Sequence, residues 1–202
     1  PTFKWSVADY DACVAGIAKV EAEIGPVDVL VNNAGITRDA MFHKMTPQAW
    51  KEVIDTNLTG LFNMTHPVWT GMRDRKFGRV INISSINGQK GQAGQVNYSA
   101  AKSGDLGFTK ALAQEGARAG ITVNAICPNH VTTGLGSVQN ALRAEQRGQT
   151  IEEYLAEMRS RIPLGRVGLA EDTAKACAFL CSSEADYITA EAMNVSGGQE
   201  VH

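Results

Sequence analysis

Tyr98 and Lys102 are the two side chains whose types and spacing most directly suggest proton chemistry. They lie four residues apart in a stretch with helical spacing, so both project from one face of the predicted helix. A tyrosine hydroxyl has a pKa of about 10, and a nearby ammonium lowers that pKa by stabilising the phenolate. The pair is therefore suited to proton transfer. Considered alone, it is also what a surface tyrosine beside a solvated lysine would give, and such pairs are common at this spacing.

Three predicted strands end at residues that suit a ligand site. Ser85 ends the apolar strand 79–85, Asn33-Ala34-Gly35 ends the strand 27–35, and Pro128 ends the strand 121–128. In doubly wound sheets, ligands bind at the carboxyl ends of the strands. We therefore expect these residues to meet Tyr98 at one edge of the sheet. The alternatives are local: a turn hydroxyl that caps backbone groups at Ser85, and a simple turn at the Asn-Asn-Ala-Gly run.

Helices and strands alternate along the chain and are expected to position these residues. The spacing of apolar residues predicts an α/β fold with a doubly wound, Rossmann-like parallel sheet. The almost continuous apolar run at the start of the strand 27–35 is typical of a strand that is covered on both faces. Asp9 and Thr46 are expected to cap the starts of the first two helices, and Gly120 is expected to cap the end of the helix 97–119. The predicted helices span 9–24, 46–75, 97–119, about 151–160 and 170–182; the strands span 27–35, 79–85, 121–128 and 192–198; and 86–95 is predicted as a loop.

The whole chain, 1–202, is expected to form one domain. Residues 129–162 form a long polar segment that includes the predicted helix 151–160. Such a segment is too long for a simple connection and is typical of a lid or a binding element. We expect it to be the substrate lid.

A set of short motifs resembles the short-chain dehydrogenase/reductase family. The motifs are Asn32-Asn33-Ala34-Gly35, Asn57 within Thr56-Asn57-Leu58, Ser85, and Tyr98-x-x-x-Lys102. The resemblance covers nearly the whole chain and is specific because the motifs occur in combination. It implies an oxidoreductase that uses NADP or NAD, with a slight preference for NADPH.

The resemblance also implies a role for each motif residue. Tyr98 would donate or accept the proton at the substrate oxygen, and Lys102 would lower the pKa of Tyr98 and bind the nicotinamide ribose. Ser85 would polarise the substrate carbonyl, and Asn57 would hold a water molecule of a proton relay. The cofactor would also be lined by Asn33, Ala34 and Gly35 on its adenosine half and by Pro128, Val131 and Thr133 along the nicotinamide.

The chain departs from the family pattern in two places. The glycine-rich turn that binds the pyrophosphate in Rossmann folds is absent before residue 27. At roughly 30 residues for each βαβ unit, we expect that about 50–60 N-terminal residues are missing from this sequence. Asn129 follows Pro128 where the family usually has glycine. Asparagine tolerates left-handed backbone better than most residues, so we expect the loop to keep its shape.

The two halves of the chain suggest different substrates. Residues 1–128 resemble family members that reduce 3-oxoacyl thioesters such as acetoacetyl-CoA to 3-hydroxyacyl thioesters. By that likeness Asp39, Gln92 and Gln95 would contact the acyl substrate, although polar loop surface explains them equally well. The tail resembles polyol and secondary-alcohol dehydrogenases, which is the second hypothesis. A cofactor-free module that serves only in oligomerisation is the third.

Composition and charge exclude several other functions. The chain has 19 basic and 21 acidic residues, and a formal net charge of −2 argues against binding nucleic acid or an anionic membrane. No apolar run reaches the roughly 20 residues of a membrane span, and no signal peptide is present, so we expect a cytoplasmic protein. The four cysteines form no CxxC pair, which argues against a metal site. The family resemblance implies a homotetramer.

Overall fold

A parallel β-sheet of four strands forms the centre of the molecule. The computed structural model describes residues 1–132, 140–145 and 147–201. The strand order is β1-β2-β3-β6, and every pair is parallel. Each strand is separated from the next by helical segments, as right-handed crossovers require. The strands are β1 (Val29–Asn32), β2 (Gly78–Ile83), β3 (Ile121–Pro128) and β6 (Ala192–Val195).

Helices cover the sheet on both faces. On one face, side chains of the first, third and fifth helices pack against inward-facing strand residues such as Val80 and Val123. On the other face, Leu180 packs against Ile81 and Ile126. Because successive strand residues point to opposite faces, Val80 and Ile81 serve the two cores separately. The helices are α1 (Tyr10–Glu23), α2 (Pro47–Ile54), α3 (Gly60–Arg75), α4 (Ile86–Lys90), α5 (Val96–Gly116), α6 (140–145), α7 (Ile151–Ser160) and α8 (Ala170–Cys181).

The predicted helix starts follow from local capping. The side chain of Asp9 accepts a hydrogen bond from the Ala12 backbone N–H, and Thr46 accepts one from Ala49. Both bonds satisfy backbone donors that the first helical turn leaves unpaired. After α5, a 3₁₀ turn at Ala117–Ala119 leads to Gly120. Gly120 adopts a left-handed backbone with φ of 69°, which ends the helical segment before β3. The α/β doubly wound prediction is therefore confirmed, together with these three boundaries.

Two predicted elements differ from the structure. Residues 86–90 form the short helix α4, where a loop was predicted. A turn this short with Gly88 at its centre has no periodic pattern, and tertiary contact with α5 decides its conformation. Strand β1 is covered on one face only: Val29 and Val31 are exposed although their apolar run predicted burial on both faces. Helix α8 contacts β2, β3 and β6, and it leaves that side of β1 open.

The predicted lid is partly described. After β3, residues Val131–Thr132 form strand β4, which pairs in parallel with Gly168–Leu169 as β5. Helix α7 begins at Thr150, whose side chain and that of Glu153 form a reciprocal capping box. Thr133, predicted to line the nicotinamide, lies outside the described residues. No helix in the described ranges is long and apolar enough to cross a membrane.

Candidate active site

The three predicted strand ends meet at one edge of the sheet. Asn32 at the end of β1 pairs with Asn82, and Ile83 at the end of β2 pairs with Ile126. The residues that follow, including Ser85, therefore leave the sheet on the same side, beside Pro128. Parallel pairing makes this convergence unavoidable, because all carboxyl ends share one edge. The predicted convergence of these strand ends is confirmed.

Tyr98 and Lys102 lie in successive turns near the start of α5. The Nζ atom of Lys102 is 5.9 Å from the centroid of the Tyr98 ring, so the two side chains share a face as their spacing predicts. Tyr98 is half-buried and Lys102 is buried. Lys102 donates from Nζ to the backbone carbonyl of Ile83 at 2.7 Å. This bond ties α5 directly to the end of β2, two residues before Ser85.

Lys102 also forms an ion pair with Asp105. Its Nζ atom is 3.0 Å from Oδ2 of Asp105, whose side chain is completely buried. Burial raises the pKa of Asp105 to about 6, and the opposing charge of Lys102 limits that rise. Cys127 on β3 is affected by the same environment, and burial raises its pKa to about 11. The interior behind Tyr98 therefore contains the Lys102 ammonium and the Asp105 carboxyl, whose pKa is about 6.

Ser85 both starts α4 and presents its hydroxyl at the sheet edge. Its Oγ atom accepts a hydrogen bond from the Asn87 backbone N–H at 3.1 Å, which is the capping role that a turn serine would have. A hydroxyl that accepts this bond still has its own O–H to donate. Capping thus fixes the oxygen while leaving a donor for a substrate carbonyl. The preceding Ser84 donates to the Lys102 carbonyl at 2.8 Å and holds α5 in place.

Asn57 fastens the loop that follows β1. Its Oδ1 accepts from the Ile36 N–H and its Nδ2 donates to the Ile36 carbonyl, both at 2.8 Å. Asn57 lies in a π-helical turn, Asp55–Thr59, between α2 and α3. Such turns occur frequently at functional sites. A β-carbon on Gly35 would lie 2.9 Å from Oδ1 of Asn57, so glycine is required for this close approach.

Asp39 and Gln95 are brought together as a polar wall. Gln95 donates from Nε2 to both carboxylate oxygens of Asp39, each at 2.9 Å. Arg143 of α6 adds an ion pair to Asp39 at 2.8 Å, and this contact joins the lid to the loop after β1. Gln92 is exposed, and among the described residues its side chain makes one long hydrogen bond of 3.5 Å, to the Ala93 carbonyl. The structure therefore groups Asp39 with Gln95 and leaves Gln92 at the rim.

Two buried residues of this region, Asn97 and Asp105, were not predicted as site residues from the sequence. Asn97 is fully buried and donates to the carbonyls of Arg38 and Ala49, which fixes α5 against the loop after β1 and against α2. Asp105 is the partner of Lys102 described above. The available signals were a polar residue directly before Tyr98 and an acid three residues after Lys102. Both positions read as ordinary helix surface in the sequence, because burial depends on tertiary packing.

The Asn129 side chain ties the segment after Pro128 to the segment after β6. Asn129 donates to the Ser196 carbonyl at 2.7 Å and to the Gln199 side chain at 3.0 Å. Among described non-glycine residues, positive φ occurs at Lys76 and Ala190 and therefore not at Asn129. Asparagine replaces glycine here without left-handed backbone. Burial lowers the pKa of the neighbouring His130, which favours its neutral form.

The residues present fit the nicotinamide-ribose half of a dinucleotide. Lys102 has three N–H donors and gives two of them to Ile83 and Asp105, so one remains for a ribose hydroxyl. A cavity of about 70 Å³ at the end of β1 is partly lined by Asn33 and Ala34. Within the described ranges, no three His, Cys, Asp or Glu side chains are placed to hold a metal ion.

This chain belongs to the short-chain dehydrogenase/reductase family, whose members are nicotinamide-dependent oxidoreductases. A family model described as enoyl-(acyl carrier protein) reductase matches residues 2–200. The chain is 65% identical over 199 residues to the acetoacetyl-CoA reductase of Paracoccus denitrificans, and 61% identical over 199 residues to that of Rhizobium meliloti (strain 1021). Each match covers 98% of this chain and 78% of the relative.

A more distant relative has a related name. The chain is 42% identical over 193 residues to the 3-oxoacyl-[acyl-carrier-protein] reductase of Vibrio harveyi, a match that covers 96% of this chain and 75% of that protein. Because each of the matches to acetoacetyl-CoA reductases covers 98% of the chain, the similarity to these enzymes includes nearly all of the tail, which on sequence resembled polyol dehydrogenases. The prediction of an oxidoreductase of this family is confirmed.

Proposed function

We propose that the protein reduces a 3-oxoacyl thioester such as acetoacetyl-CoA to the 3-hydroxyacyl thioester, with NADPH as its cofactor. The names of the relatives that are 61–65% identical to it support this substrate. The observation that carries the proposal is the position of Lys102, buried behind Tyr98 and bonded to the end of β2 beside Ser85. In this proposal Tyr98 is the acid and Ser85 is the second donor, both at this edge of the sheet.

Tyr98 and Ser85 supply the two polar contacts that carbonyl reduction needs. Reduction of a ketone places negative charge on its oxygen, and donors aimed at that oxygen stabilise the charge as it develops. Ser85 has a fixed Oγ with an O–H left to donate. Tyr98 supplies the proton, because the nearby Lys102 ammonium stabilises the phenolate that remains. The nicotinamide, when bound, supplies the hydride.

The polar wall of Asp39 and Gln95 is the proposed contact for the acyl-thioester substrate. Gln95 gives its amide N–H groups to Asp39, and its Oε1 accepts from Asn87 at 2.9 Å. Both side chains are thereby held in fixed orientations beside the start of α5. Carboxylate lone pairs that Gln95 and Arg143 do not use can accept bonds from amide groups of a thioester's pantetheine arm. Gln92, at the rim, is a weaker member of this proposed set.

The remaining roles extend the same site. Asn57 positions the loop after β1 through Ile36, and we propose that it also holds the relay water. Gly35 and Val131 are proposed to line the cofactor with Asn33, Ala34, Pro128 and Thr133. We further propose a single domain with 129–162 as its lid, a homotetramer, and a cytoplasmic location.

A substrate comparison tests this function. Purified protein is mixed with NADPH or NADH and acetoacetyl-CoA, and loss of nicotinamide absorbance is followed. Turnover with NADPH that exceeds turnover with NADH is the expected result. The same protein is then offered NADP⁺ or NAD⁺ with butanediol or sorbitol. Oxidation of these alcohols without reduction of acetoacetyl-CoA would replace the proposal with the polyol hypothesis.

A further inference from the structure

Asp105 is a buried acid that none of the proposed roles uses. Its side chain is completely buried, with Oδ2 on Lys102 and Oδ1 buried without a hydrogen-bond partner among the described residues. A buried ion pair is weak evidence for stability, because the cost of desolvation offsets much of the attraction. Stability therefore gives little reason for a buried acid at this position, one helical turn from Lys102.

We propose that Asp105 is a positioning residue that holds the Lys102 ammonium behind Tyr98 and, through its negative charge, sets the pH at which Tyr98 exchanges its proton. This inference rests on the proposed reductase function, because it assigns Tyr98 as the acid.

The geometry restrains Lys102 from two sides. Asp105 accepts one N–H from the helix side, and the Ile83 carbonyl accepts another from the strand side. A lysine head on a flexible stem otherwise samples many rotamers. With two donors fixed, the ammonium stays at one position relative to the Tyr98 ring. Asp105 therefore acts on Tyr98 through Lys102 and without direct contact.

The negative charge of Asp105 affects proton loss from the groups around it. The titratable groups that interact with Asp105 are Lys102 on its own helix and Cys127 on β3, with the Ser84 hydroxyl beside it. Tyr98 lies beyond Lys102, whose Nζ atom is 5.9 Å from the centroid of the Tyr98 ring. A negative charge opposes the loss of a proton from its neighbours. Removing that charge should therefore favour proton loss from the neighbouring groups, and we expect the effect to reach Tyr98 through Lys102. Burial keeps Cys127 protonated near neutral pH, so it does not compete.

The test is a direct titration of Tyr98. Tyrosinate absorbance is followed against pH in the wild type and in Asp105→Asn, and the signal of the other tyrosines is subtracted with matched Tyr98→Phe variants. In Asp105→Asn we expect the Tyr98 transition to move down by at least about half a pH unit, less than the 1–3 units caused by a charge in direct contact. The alkaline limb of kcat/KM for reduction should move in the same direction.

A matched control removes a carboxylate from a different ion pair. Asp186 pairs with the buried Arg79 at the opposite end of β2. Asp186→Asn changes the net charge equally, and it should leave both the tyrosinate transition and the pH profile in place. Asp105→Glu, which keeps the charge, should titrate close to the wild type. If Asp105→Asn fails to fold, Asp105→Ser is measured in its place.

The outcomes separate this inference from the reductase function. A folded Asp105→Asn protein with an unchanged Tyr98 transition and an unchanged pH profile would overturn the inference and leave the function intact. A shifted Tyr98 transition in a protein that never reduces acetoacetyl-CoA would support the role of Asp105 and reject the function. A shift of equal size in Asp186→Asn would also overturn the inference, because the effect would then come from net charge alone.

Discussion

Gly35 and Asn57 are packed so closely that a β-carbon on Gly35 would lie 2.9 Å from the side-chain oxygen of Asn57. That oxygen accepts the Ile36 N–H, so the contact sets the path of the loop after β1. The loop continues to Asp39 and the polar wall. Because Gly35 has no side chain, Asn57 can approach the Asn-Asn-Ala-Gly motif and hold the loop that leads to Asp39, a proposed substrate contact.

Gly35→Ala tests this relationship. The added methyl must displace Asn57 or the loop, and we expect a loss of about 1–3 kcal/mol in the free energy of unfolding, as for other overpacked sites. Urea unfolding measures the change. Gly107→Ala is the matched control, because a β-carbon there meets nothing within 4 Å and α5 continues through it. That variant should be more stable than wild type by about 0.5–1 kcal/mol. Equal effects of the two substitutions would contradict the account.

Arg143→Gln should loosen the lid without unfolding the protein. The ion pair between Arg143 and Asp39 is about one-third exposed on each side, so its loss should cost less than about 1 kcal/mol. The bond nevertheless joins α6 to the loop after β1. We expect faster amide hydrogen exchange in residues 140–145 and unchanged exchange in β2 and β3. Unchanged exchange in 140–145 would show that the ion pair does not hold the lid.

Asp105 should make stability depend on pH between about 4 and 6. Its pKa rises from 3.8 to about 6 on folding, so the folded protein holds this proton more tightly than the unfolded chain. The stability that results is fully present below about pH 4 and is lost as pH rises through 6. Relative to Asp105→Asn, the wild type should lose about 3 kcal/mol over this interval. A difference between the two proteins that stays constant with pH would refute the buried titration.

The parts of the fold that depend on local chemistry could be predicted from the sequence. Asp9, Thr46 and Gly120 mark element boundaries because caps and left-handed glycines act within a few residues. The convergence of Ser85 and Pro128 followed from parallel pairing, since alternating elements leave few other topologies. The Tyr98–Lys102 face followed from helical spacing alone.

Other features depended on contacts between distant segments. Helix α4 is held against α5 so closely that a β-carbon on Gly88 would lie 2.6 Å from the Lys102 backbone. Asn97 and Asp105 are polar residues of the kind found on helix surfaces, and they are buried because α5 packs against α2, α4 and β3. The spacing of apolar residues within one segment does not show which of its polar residues distant segments will bury. For the same reason Gln92 and Gln95 looked alike in sequence although only Gln95 contacts Asp39.

Tyr98→Phe is the most direct test of the central claim that Tyr98 is the proton donor. The hydroxyl is the only group removed, so the variant should fold and bind NADPH as the wild type does, measured by nicotinamide fluorescence. Its kcat for acetoacetyl-CoA should fall by about 10²–10⁴-fold, the usual contribution of a general acid. Turnover close to that of the wild type, with cofactor binding intact, would contradict the mechanism.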